Sequence, residues 1–151
     1  MLNSSALKNI QMLYQAALDT VKTYEQVLKQ VEPLALHEEL AEFYSDHEQQ
    51  LHNLNAALKS LGGEPTESEE HWSDFVSPGF NAVSENADIE SALESLRHNE
   101  IRMQGVLNKA LTWDLSNDLK TMLRHDVELG EKHLRKINTA LLLRNWENLP
   151  A

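Results

Sequence analysis

The spacing of apolar residues constrains the fold of this chain most strongly. Apolar side chains recur three and four positions apart over four long stretches. In the first stretch they fall at Leu7, Ile10, Tyr14, Ala17, Val21, Tyr24, Leu28 and Val31. This spacing puts one apolar stripe along a helix and is typical of helices that pack side by side in a bundle. The alternating β-branched residues that indicate strands do not occur in the sequence.

Breaks in the pattern set the ends of the predicted helices. The four helices are predicted at about residues 4–31, 34–61, 87–113 and 116–144. Pro33 stands at the start of the second helix, where proline is favoured. Gly62 and Gly63 follow its end and supply the usual left-handed stop signal.

The lengths of the connections predict how the helices are arranged. Only a few residues separate the first two helices, so they are expected to form an antiparallel hairpin. Residues 62–86 are long enough to cross the length of a bundle before the third helix begins. We therefore predict an all-α fold with one domain over residues 1–151, a four-helix bundle of two antiparallel hairpins joined by a long crossover. Trp72 and Phe75 are expected to pin this crossover to the bundle, with an exposed partner site as the alternative.

Composition excludes several classes of function. The chain has 24 acidic and 13 basic residues, a net charge of −11, and no cysteine. The negative charge argues against nucleic-acid and anionic-membrane partners. The absence of cysteine excludes disulfides and thiolate metal sites. The longest apolar run, Ala140–Leu143, is too short to span a bilayer, and the N-terminus has no signal-peptide pattern, so a cytoplasmic location is expected.

Polar residues on the core-facing stripes are the candidates for function, because burying them unpaired costs free energy. His47 lies on the stripe of the second helix, Glu100 on that of the third, and Asp126 and His133 on that of the fourth. Glu25 lies on the flank of the first stripe. Two imidazoles and two carboxylates at one level of a bundle are ligands that suit Fe, Mn or Zn.

The levels of these residues can be estimated from the turns between helices. Facing positions in each hairpin put His47 opposite Leu18 and Glu100 opposite Leu129, close to mid-helix. A metal-free alternative is equally compatible with the pattern. In that case Asp126 accepts hydrogen bonds from a histidine, Glu100 pairs with a neighbouring arginine, and the polar network fixes the helix register.

The second helix and the crossover after it resemble a known superfamily. The segment from Tyr44 to Pro65, together with the long crossover, resembles the ferritin-like superfamily and is most similar to small bacterial ferritin-like domain proteins. The resemblance covers about residues 4–144. It implies iron or another divalent metal at mid-bundle, in metal handling or stress response. It also implies that Glu100 is the single carboxylate of the third helix and that His47 and His133 are the two histidine ligands.

The sequence departs from the Glu-x-x-His pairs of di-iron bundles. Tyr44 precedes His47 by three residues, and Gly130 precedes His133 by three. Glu25 and Asp126 are the residues that could replace the missing carboxylates, which implies an altered metal site.

These residues support two hypotheses. The first is a ferritin-like protein that binds a metal through His47, Glu100, Asp126 and His133, with Glu25 as a further candidate. The second is a non-catalytic interaction bundle in which the same residues form a metal-free network. A homo-dimer or another small homo-oligomer is expected in either case, without nucleic-acid or membrane partners.

Overall fold

The computed structural model describes residues 4–63, 83–84 and 86–148. Within these ranges it contains four α-helices, no strand, and a short 3₁₀ turn at Asn145–Asn148. The helices are α1 Ser4–Leu28, α2 Leu34–Ser60, α3 Ile89–Ala110 and α4 Asn117–Leu143. The predicted all-α four-helix bundle is confirmed. Most of the predicted 62–86 crossover, including Trp72 and Phe75, lies outside the described residues.

The observed helix ends follow local chemistry. α1 ends three residues earlier than predicted, and the Gln30 and Val31 amides both donate to the Val27 carbonyl in the turn that follows. α3 begins after Asp88, whose side chain accepts a hydrogen bond from the Ser91 amide at 2.8 Å. α4 begins after Ser116, whose hydroxyl oxygen caps the helix by accepting a hydrogen bond from the Leu119 amide at 3.2 Å.

The end of α2 explains the paired glycines. Gly62 adopts a left-handed conformation with φ of 81°. The Gly63 amide then donates to the Leu58 carbonyl at 2.8 Å and the Gly62 amide to the Lys59 carbonyl at 3.1 Å. These two bonds form a Schellman motif. A side chain at Gly63 would overlap Leu7, so the motif also lets the end of α2 lie close to α1.

Side-chain contacts establish the directions of the helices. The Tyr44 hydroxyl reaches Glu25, and the His37 imidazole reaches the Val31 carbonyl, so α1 and α2 run antiparallel. Contacts from Gln104 to Val127 and from Arg97 to Asn138 show the same for α3 and α4. α1 packs beside α3 and α2 beside α4, which closes the bundle.

Among the described residues, the core consists of two apolar clusters, one toward each end of the bundle. One cluster includes Leu13, Leu54, Met103, Leu107 and Leu123. The other includes Phe43, Leu93, Leu96, Ile137 and Trp146. Buried polar side chains occupy the level between them. Among the described helices, none is long and apolar enough to cross a membrane.

Candidate metal centre

His47 of α2, Glu100 of α3 and His133 of α4 converge at mid-bundle. His47 Nε2 lies 2.7 Å from Glu100 Oε2, and His133 Nδ1 lies 3.0 Å from the same oxygen. The three side chains are buried, with relative exposures of 4%, 1% and 0%. One potential ligand atom from each lies within 4.8 Å of the others, a spacing that one metal ion can bridge. The structure therefore brings together three of the five candidate residues.

The helix register differs from the estimated one. The ring of His47 lies 5.2 Å from that of Tyr24, which is six residues beyond the expected Leu18. Glu100 contacts His133, four residues beyond the expected Leu129. Both differences displace the facing residue toward the C-terminal end of its helix, α1 or α4.

Tyr24 is a member of the cluster to which the sequence assigned no role. Its hydroxyl donates to Glu100 Oε2 at 2.6 Å, and its side chain is completely buried. Burial, together with the negative charge of Glu100, raises the pKa of Tyr24 well above its ordinary value. Tyr24 therefore stays protonated and acts as a hydrogen-bond donor.

Each histidine is held at its outer nitrogen. His133 Nε2 donates to Asp46 Oδ2 at 2.8 Å, and His47 Nδ1 lies 3.1 Å from Gln50 Oε1. The Gln50 side chain also hydrogen-bonds to the Asp126 carboxylate. Because a carboxylate accepts, the Gln50 amide nitrogen faces Asp126 and its oxygen accepts from His47 Nδ1. Such outer partners orient metal-binding imidazoles, and they leave one inner nitrogen of each ring facing the centre.

His47 and Glu100 shift each other's pKa in opposite directions. Burial acts to raise the pKa of Glu100, but the nearby charges and hydrogen bonds of His47 and His133 hold that pKa well below its ordinary value. Burial acts to lower the pKa of His47, but the Glu100 carboxylate raises it above the ordinary value. Without a metal, an ionised Glu100 therefore pairs with a protonated His47.

Asp126 is buried beside the three-residue cluster. It lines a small cavity with His47, Gln50 and His133. Its Oδ2 atom has no hydrogen-bond partner among the described residues. Burial raises the pKa of Asp126 to about 6, although the hydrogen bond from Gln50 opposes this shift.

Glu25 lies apart from the other four candidates. Its side chain is exposed and accepts a hydrogen bond from the Tyr44 hydroxyl at 3.2 Å. It lines a surface groove between α1 and α2 together with Lys22, Glu48 and His52.

The position three residues before His133 is filled from another helix. A side chain at Gly130 would overlap the carboxamide of Gln104. Gln104 reaches across from α3 and donates to the Val127 carbonyl at 2.9 Å. Gln104 therefore takes the space in which the glutamate of a Glu-x-x-His pair would lie.

The donor set suits a transition metal. Two imidazoles and one carboxylate are the protein ligands of many non-haem Fe(II) sites and of catalytic zinc sites. Phe43 stacks on His133 with ring centroids 4.4 Å apart and keeps this side of the site apolar. The residues present fit a single divalent ion better than the standard two-iron centre. In a two-iron centre each histidine has a glutamate three residues before it, and neither His47 nor His133 has one.

Comparisons with known proteins identify the fold. No protein-family model and no curated sequence matches the chain. A solved structure of Dps from Thermosynechococcus elongatus superimposes with a TM-score of 0.78 and 15% identity, covering 91% of this chain and 90% of the other. The chain has the ferritin-like fold. Dps from Staphylococcus aureus gives the same TM-score and identity, covering 93% of this chain and 98% of the other. The ferritin-like fold expected from Tyr44–Pro65 and the crossover is thus confirmed. At 15% sequence identity, these comparisons support a shared fold and no more.

Proposed function

We propose that this ferritin-like bundle binds one divalent metal ion through His47, Glu100 and His133 and serves in metal handling or stress response. The observation that carries the proposal is the convergence of three ligand atoms within 4.8 Å in a buried layer. Asp46 and Gln50 support it, because they orient both imidazoles toward the same point.

Iron is the metal that we favour. The two-histidine, one-carboxylate set suits Fe(II), and Mn and Zn are the alternatives. The resemblance of the chain to ferritin-like proteins adds weight to iron. Bound iron would supply one-electron redox chemistry. The chain itself would supply the ligands, a hydrogen bond from Tyr24 to Glu100, and an apolar wall at Phe43.

A metal-free structural network is the second candidate. The observation in its favour is that Glu100 Oε2 lies 2.6–3.0 Å from hydrogen-bonding atoms of Tyr24, His47 and His133. A buried network satisfied in this way can fix the register of the helices without an ion.

Metal analysis distinguishes the two candidates. Untagged protein, purified without chelator and then exposed to Fe(II) without oxygen, is analysed for bound metal. We expect about one ion per chain in the wild type, as a single two-histidine, one-carboxylate site requires. Glu100→Gln should hold far less, because it removes the charged ligand and keeps the size of the side chain.

Glu94→Gln is the matched control, since Glu94 is exposed on the same helix and pairs at the surface with Arg97. It should load like the wild type. Metal retention in folded Glu100→Gln at the wild-type level would assign the ion to another site. Wild-type protein that stays empty after loading would favour the structural network.

We also propose that the chain forms a homo-dimer or another small homo-oligomer. Large apolar side chains are exposed at one end of the bundle, where Leu142 and Leu143 are 82% and 63% accessible. Light scattering coupled to size-exclusion chromatography measures the mass directly, and a monomer mass would contradict this proposal.

A further inference from the structure

The metal centre is closed to solvent, so an ion needs a route to it. His47, Glu100 and His133 are at most 4% exposed. A cavity of about 10 Å³ lies beside the centre, between α2 and α4. Its walls are Asp46, His47, Gln50, Asp126, Leu129 and His133. Such a volume has room for roughly one water molecule, and therefore for a small cation that has lost most of its water.

Asp126 is an incomplete acceptor in this cavity. The residue is 6% exposed, and its Oδ2 atom has no hydrogen-bond partner among the described residues. Buried acceptors without partners are costly, and native proteins satisfy nearly all of them. A cation in the cavity would supply the missing partner of Asp126 Oδ2.

Asp46 connects the cavity with the surface. Its side chain is 33% exposed, whereas that of His133, which it contacts, is 1% exposed. His133 turns Nε2 toward Asp46 and Nδ1 toward Glu100. The cavity is lined by both imidazoles that contact Glu100, those of His47 and His133. An ion held between Asp46 and Asp126 would therefore lie next to the centre.

We propose that the cavity between Asp46 and Asp126 is an access site, in which a divalent cation is captured and partly dehydrated before it reaches the centre. This inference rests on the proposed function and names the route to the same metal centre. Its ligands are the carboxylates of Asp46 and Asp126. Hard oxygen donors suit an ion that still carries water, while the two histidines behind them suit the final site.

The rate of metal loading tests this access site. Metal-free protein is mixed without oxygen with Co²⁺, whose visible absorption reports ligation by histidine, in a stopped-flow instrument. Clefts lined by charge of one sign raise capture rates by roughly 10–10³-fold and lose this advantage in salt. We expect Asp126→Asn to load about tenfold more slowly at low ionic strength, with weaker salt dependence and the same final absorbance.

Glu128→Gln is the control, because Glu128 is an exposed acid two residues further along α4. It removes the same charge and should load within about twofold of the wild type, as for a surface charge outside the cavity. Equal rates for Asp126→Asn and Glu128→Gln would overturn the access site and leave the proposed function intact.

Two other results would also overturn the access site. In the first, folded Asp126→Asn protein loads as quickly as the wild type but ends with a reduced or shifted Co²⁺ spectrum. That result would show that Asp126 is a ligand of the centre. If the wild-type protein never develops the spectrum of histidine-ligated Co²⁺, neither the metal centre nor the access site exists. The second result contradicts the proposed function, and the first does not.

Discussion

The carboxylate of Glu100 meets hydrogen-bonding groups from three helices at one oxygen atom. Tyr24 provides the shortest of these bonds, at 2.6 Å, from α1. Both imidazoles can exchange their bond to Glu100 for a bond to a metal, but the tyrosine hydroxyl cannot donate to a cation. Tyr24 therefore orients Glu100 whether or not the ion is present.

Removing this hydroxyl should weaken the bundle. We expect Tyr24→Phe to lower the free energy of unfolding of the metal-free protein by about 1–3 kcal/mol, the usual range for a buried hydrogen bond to a charged group. Tyr44→Phe is the control, because its hydroxyl bonds to exposed Glu25 and should contribute less than about 0.5 kcal/mol. Urea unfolding of both variants measures the difference, and equal losses would contradict the role given to Tyr24.

The positions of polar residues on the apolar stripes identified the cluster of two histidines and a glutamate, but not the outer hydrogen-bond partners of the histidines. His47, Glu100 and His133 stand out because polar residues interrupt apolar stripes. Asp46 gives no such signal, since its contact with His133 depends on the relative register of α2 and α4. That register is set by how side chains of different helices pack against each other. The spacing of residues along one helix carries no information about this packing. Gln50 lies three residues after His47 and four before Leu54 on the buried face of α2, so the spacing within that helix could have indicated it.

Helix existence follows from local patterns, whereas helix packing depends on pairs of residues from different helices. The apolar spacing, Pro33 and Gly62-Gly63 sufficed to place the four helices. The close approach of α3 and α4 at Gly130 could not be predicted in the same way. It depends on Gln104, which is 26 residues away in the chain and occupies the space beside the glycine.

A double-mutant cycle measures this packing between α3 and α4. In a helix interior, Gly→Ala alone is favourable by roughly 1 kcal/mol. At Gly130 the new methyl group would displace the Gln104 side chain and break its bond to the Val127 carbonyl. We therefore expect Gly130→Ala to be more favourable in a Gln104→Ala background than in the wild type, by about 1 kcal/mol or more. Additive effects on the free energy of unfolding would show that Gln104 adjusts without cost.

At the scale of the whole molecule, the buried charges set how stability depends on pH. The pKa of His47 is raised, so its contribution is complete below about pH 6.5 and is lost as the pH rises through the folded-state value. The pKa of Glu100 is lowered, so its contribution is present above about pH 4.5 and is lost in acid. The pKa of Asp126 rises from 3.8 to about 6, so ionising this buried acid destabilises the fold as the pH rises between those values. The effects of His47 and Glu100 favour the metal-free bundle most between about pH 4.5 and pH 6.5, and the effect of Asp126 lowers its stability as the pH rises toward 6.

Bound metal should reverse this trend above neutrality, because metal ligands must lose their protons and binding becomes stronger as the pH rises. We expect the thermal midpoint of metal-free protein to fall between pH 5.5 and pH 7.5, and that of metal-loaded protein to fall less or to rise. Asp126→Asn should flatten the metal-free profile mainly between pH 4 and pH 6, since a shift from 3.8 to about 6 corresponds to roughly 3 kcal/mol that is lost across that interval. Circular dichroism melts from pH 4 to pH 7.5, with Glu128→Gln as the surface control, measure both effects. A metal-free midpoint that rises toward pH 7.5 would mean that the His47–Glu100 pair and Asp126 do not govern the stability of the bundle. If Asp126→Asn and Glu128→Gln flatten the profile equally, the cause is the net negative charge of the whole chain and not the buried acid.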